Sequence, residues 1–268
     1  MVKATQRRVL STLAVTGALV LSGGPAMADG SHGESHDDDG HRSKAYTCTG
    51  GDIPSGSYSR ITVTGLCQVA AGATIRVRGN VSVAEGAMLD AQSAPSTIVV
   101  GGNVTGARGS MVGLGCQPHS ATGNSAHECA LDPTGQSSIT VHGNVTVTKA
   151  VLVALNGITV RGNVTLTGGG GANYWSVKNN TIGRNLTVTG QTVDWIGVMF
   201  NKIGRNATLT HITVNDEHPG APGVYIVSNT VGRNLSCRDL VPGVSGGFVP
   251  GAVNVVGRHA TGQCAALV

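Results

Sequence analysis

From Tyr46 onward, apolar and polar residues alternate in short runs, and the runs recur. Ile139-Thr140-Val141, Val145-Thr146-Val147 and Leu186-Thr187-Val188-Thr189 are typical. That alternation is the period of a half-buried strand, with Val, Ile or Leu turned to a core and Thr or Ser turned to water. No repeat holds an amphipathic helical stretch, which excludes leucine-rich, ankyrin and other helix-containing repeats.

The runs are punctuated by a fixed word. Gly-Asn precedes the strand at Asn80, Asn103, Asn144 and Asn163. A variant, Asn-x-Ile/Val-Gly-Arg-Asn, then spans 180–185, 201–206 and 229–234, with a last copy at 254–259 ending in His259. From Asn80 to Asn234 the anchors step by 23, 41, 19, 22, 21 and 28 residues, and His259 follows 25 later. A period of this size with strands only predicts an all-β fold: a single-stranded right-handed parallel β-helix, or β-solenoid. Each coil would lie ~4.8 Å above the last. Gly and Asn supply the corners, because they tolerate positive φ at low cost. Stacked Asn side chains at Asn185, Asn206 and Asn234 would hydrogen-bond along the axis. The step of 41 is either two periods or one period plus an insertion.

Glycine (41 of 268 residues), few aromatics (3%) and few charges (12%) suit a thin core of short strands and tight turns. The net charge of +4 is small and dispersed, so nucleic acid is not an expected partner. Cysteines fall in three sequence-local pairs, which predicts disulfides Cys48–Cys67, Cys116–Cys129 and Cys237–Cys264. The first and last would staple the two ends of the stack, where bare edges invite aggregation. The middle pair would clip a loop in the long step.

Ahead of the repeats, Lys3, Arg7 and Arg8, an apolar run over 9–21 and Ala26-Met27-Ala28 read as a signal peptide over 1–28. The Arg7-Arg8 pair has a loose likeness to a twin-arginine signal, and the ordinary secretory reading is favoured. Residues 29–44 are rich in His and Asp and cannot build a core, so a disordered linker is expected there, with the solenoid over 45–268. No later segment has ~18 consecutive apolar residues, so no membrane insertion is expected. The expected protein is secreted, extracellular or wall-associated, and a monomer.

Two groups of residues could carry function. Asp194 and Asp216 lie 22 apart, near one coil, with Glu217 beside the second. Stacked carboxylates suit glycoside hydrolysis or a Ca²⁺ ion, and Trp175 and Trp195, 20 apart, could offer a sugar platform. Asp216-Glu217-His218-Pro219-Gly220 reads equally as a plain turn. The second group is Arg184, Arg205, Arg233 and Arg258, which share one position in successive units. If stacked, they form a positive stripe for an acidic polymer. No cofactor is expected, with Ca²⁺ as the alternative.

The stretch Tyr46-Thr47-Cys48-Thr49-Gly50-Gly51 through Cys67 and Gly79-Asn80-Val81, and the ending from Gly257 to Cys264, resemble a group of exported actinobacterial proteins of unassigned function. The coil pattern is similar to the pectate-lyase-like superfamily of right-handed β-helices. That superfamily includes lyases, hydrolases, esterases and non-catalytic adhesins, so the resemblance implies a fold and no single activity. The expected function is a non-catalytic cell-surface or matrix solenoid that binds an anionic wall polymer or polysaccharide. A polysaccharide lyase or glycoside hydrolase is the alternative.

Overall fold

The computed structural model describes residues 43–215, 222–247, 251 and 253–268. The expected signal peptide, most of the expected linker, and Asp216 and Glu217 lie outside the described residues. One compact unit, His41–Val268, holds all that is described. It is all-β: among the described residues, 26 strands join one sheet, and the strands pair in parallel.

The pairing registers follow from the repeat. Residues 46–48 pair with 61–63, these with 81–83, and so on through 104–106, 145–147, 164–166, 186–188, 207–209, 235–237 and 260–262. The chain thus returns to the same column once per period. The middle residue of each segment is always Thr or Ser, while its neighbours face the core in the layers before the last. A second column runs from Gly51–Ile53 through Leu66–Val69, Met88–Ala91, Met111–Leu114 and Leu152–Asn156 to Val224–Val227 and Val244–Ser245. A third runs from Thr74–Val77 to Val255–Val256.

Because Val104 pairs directly with Val145, the step of 41 is one period plus an insertion. The insertion leaves the column after Leu114, carries the short helix His119–Thr122, and is closed by Cys116–Cys129. The other two expected disulfides also form, Cys48–Cys67 in the first layers and Cys237–Cys264 in the last.

Between the columns lies a thin core of Val, Ile, Leu and Ala, with Val63, Val145, Val160, Leu166 and Leu209 fully buried. Coil-to-coil contact at one corner is so close that only glycine fits. A Cβ on Gly204, Gly232 or Gly257 would collide with the carbonyl of the glycine one coil earlier.

Asparagine forms two ladders. In the expected one, each Nδ2 from Asn144 through Asn163, Asn185 and Asn206 to Asn234 donates to the Oδ1 of the preceding Asn, at 3.0–3.1 Å. This ladder is half-buried. The second joins Asn180, Asn201, Asn229 and Asn254, and it is buried. Here Nδ2 donates forward to the next Oδ1 at 2.9–3.0 Å, and its second hydrogen goes to a backbone carbonyl at 2.8–2.9 Å. The last rung ends on the Leu267 carbonyl. A core polar chain is tolerable only when its members find partners.

Candidate functional site

The four arginines of the predicted column do stack. The Arg205 N–H donates to the Arg184 carbonyl at 2.9 Å, Arg233 to Arg205 at 2.8 Å, and Arg258 to Arg233 at 2.9 Å. The side chains are exposed, one per coil. At ~4.8 Å per layer the column spans about 14 Å. The glycine before each arginine fills the tight corner just described, so the guanidinium is turned outward. Among the described residues no carboxylate pairs with these four. The ion pairs His211–Asp239 and Arg238–Asp239 lie elsewhere.

The predicted aromatic platform needs correction. Trp175 is fully buried, and its indole N–H donates to the Val151 carbonyl at 2.9 Å. It packs in the core and offers no ligand surface. The register explains why: Tyr174, not Trp175, pairs with Trp195, so the two tryptophans face opposite sides of the sheet. Tyr174 and Trp195 meet edge to face with centroids 6.4 Å apart, and Trp195 also touches Tyr225 at 5.4 Å. Asp194 is half-exposed in the strand Thr192–Met199. Its expected partners, Asp216 and Glu217, are outside the described residues. Among those described, no three His, Cys, Asp or Glu side chains converge as a cation site.

The second column carries a hollow that the repeat did not announce. Its middle outward position reads Asp90, Gly113, Ala154, Ser176, Gly197, Tyr225 along the axis. The small residues in the centre leave a depression between larger neighbours. Gln92 lies across Gly113, where a Cβ would strike its side chain, and Trp195 lies across Gly197 in the same way. These two close the ends over a floor of Ala154 and Ser176. Leu152 and Tyr174 form one side, Lys178 and His127 the other, around about 530 Å³.

The disulfide-clipped insertion supplies the His127 wall. It is held down by Asn179, whose Nδ2 donates to the Ser125 carbonyl at 3.0 Å, and by Lys178, whose Nζ donates to the Ala126 carbonyl at 3.3 Å. Burial holds the His127 imidazole below its usual range. Neighbouring Lys178 acts in the same direction and Asp90 opposes it. Burial likewise lowers the Lys178 ammonium. The Gln92 Oε1 is buried and accepts no hydrogen bond. Of these residues, the sequence pattern pointed only to Trp195. Lys178, Gln92 and His127 fall outside the repeated word.

Comparison with known protein families, with curated proteins and with solved structures finds no match for this chain. Three disulfides and no free cysteine among the described residues fit an oxidising, extracellular environment. No described helix is long and apolar enough to cross a membrane.

Proposed function

We propose that the protein is an exported right-handed parallel β-helix that binds a linear anionic polymer, of the cell-wall or extracellular-polysaccharide kind, through its arginine column. The observation that carries this reading is the column of four arginines stacked through their backbones, each exposed and none paired with a carboxylate among the described residues. Like charges held one layer apart repel, and a polymer with regularly spaced anions relieves that repulsion along its whole length. Guanidinium forks suit carboxylate and phosphate equally, so teichoic acid and acidic polysaccharide are both fitting ligands.

The test is retention of the purified protein on immobilised teichoic acid and on polygalacturonate, at low and high salt. Retention that falls with salt, and is lost when all four arginines become Gln, supports the reading. Retention unchanged in that variant refutes it. The same incubations, followed for soluble products, test the alternative of a lyase or hydrolase. Products that disappear in Asp194→Asn would replace binding by catalysis.

A further inference from the structure

We infer that the hollow between the clipped insertion and the second column is a binding pocket for a hexopyranose ring. It is separate from the arginine column and independent of the reading above. Two adjacent layers present Ala154 and Ser176 where their neighbours along the axis are covered by Gln92 and Trp195. The opening is therefore about two layers long, roughly 10 Å, closed at both ends and open above. Its volume, about 530 Å³, lies within the ~300–1,000 Å³ range of small-molecule pockets.

The chemistry of the walls then selects the ligand. Tyr174 and Trp195 give an aromatic corner, and apolar C–H faces of a sugar ring stack on such surfaces. Opposite them, Lys178 offers ammonium hydrogens beyond the one held by Ala126. A purely apolar ligand would leave the Lys178 ammonium without a partner, and a simple anion would leave the aromatic corner bare. A hydroxyl-bearing ring meets both, its C–H face on Tyr174 and Trp195 and its oxygens on Lys178. Ser176 is already engaged, donating to the Asn156 Oδ1 at 3.1 Å, which fixes the floor rather than contacting the ring.

The insertion makes the pocket possible. Without Cys116–Cys129 and the Asn179 anchor, the His127 wall would not be held over the column. The pocket's residues come from four coils and a loop, so no single repeat carries it.

The protein contains two tryptophans, and they give a built-in reporter. Trp175 is fully buried, whereas Trp195 lines the pocket. Methyl glucoside, methyl glucuronide and N-acetylglucosamine are titrated at millimolar concentration into the purified protein while tryptophan emission is followed. A saturable change with at least one of them, absent in Trp195→Phe and weakened at least tenfold in Lys178→Met, is the expected result. Ala154→Phe fills the floor and should abolish the change, with the thermal melt followed alongside because Ala154 is itself buried. The arginine-to-Gln variant should retain the change, which separates this site from the column. No response to any of the three sugars overturns the proposal. So does a response that survives Ala154→Phe.

Discussion

The buried Asn ladder makes a quantitative prediction at Asn201. Its Oδ1 accepts from the Asn180 backbone N–H at 3.1 Å and from Asn180 Nδ2 at 3.0 Å. Its Nδ2 donates to Asn229 Oδ1 at 2.9 Å and to the Val177 carbonyl at 2.8 Å. Asn201→Ala removes all four bonds at a site that water does not reach. The stranded Asn180 N–H costs about 2 kcal/mol, and the three weakened partners, Asn180 Nδ2, Asn229 Oδ1 and the Val177 carbonyl, together about 2 kcal/mol, a loss near 4 kcal/mol. The Asn206 side chain makes three such bonds, its Oδ1 accepting from the Asn234 backbone N–H and Nδ2 and its Nδ2 donating to Asn185 Oδ1, and it is half-buried. Water replaces the lost partners there, so Asn206→Ala should cost about 1 kcal/mol. Urea unfolding of both variants measures the difference, expected near 3 kcal/mol. Because stacked coils can open locally, amide exchange at Asn180 is the sharper assay. Its protection should fall more than about 100-fold in Asn201→Ala. Equal losses in the two variants, within about 0.5 kcal/mol, would refute the claim that burial sets the value of a ladder rung.

Other outcomes follow from single features. Gly232→Ala places a methyl against the Gly204 carbonyl and should destabilise the chain by about 2 kcal/mol in urea unfolding, whereas in Gly246→Ala the methyl meets only the Leu267 side chain at an ordinary 3.6 Å. Cys237 and Cys264 close a loop of 27 residues, so Cys237→Ser with Cys264→Ser should remove about 3 kcal/mol from the last coils, read by amide exchange at Leu235. His127 has its folded pKa below the ordinary 6.5, so the unfolded insertion binds a proton more readily than the folded one. The local stability of the insertion is therefore fully present above about 6.5 and falls as pH drops below that value toward the folded pKa. In His127→Gln, amide exchange at Ala126 should lose that pH dependence, and an unchanged profile would place the titration elsewhere.

Much of the architecture was legible because a stacked coil repeats its own environment. Alternating Val, Thr and Leu at a period of 19 to 28 residues is enough to place each strand on the next, and Gly204, Gly232 and Gly257 mark the corner where backbones meet. The arginine column follows from the same periodicity, since equal positions in successive coils become neighbours, whereas the three disulfides were legible from the sequence-local pairing of the cysteines. The half-buried Asn ladder was legible for that reason too.

Tertiary structure decided what breaks the period. The phase of the strand Val164–Lys178 shifts between Gly171 and Tyr174, and that shift sends Trp175 inward and Tyr174 outward. A spacing of 20 between two tryptophans could not reveal it, because one residue of slippage reverses the face. The depth of the Asn180 ladder was hidden as well, since the letter Asn does not say whether water reaches it. The pocket depends most on three dimensions. Its residues belong to different coils and to a loop of irregular sequence. What unites them is a run of small side chains along the axis, a direction perpendicular to the chain. The repeat, and therefore the stack, can be read along the chain, because local alternation and corner residues act within one coil. Only the folded stack decided which side chains share a wall, because that depends on register between coils and on where the disulfide-clipped insertion comes to rest.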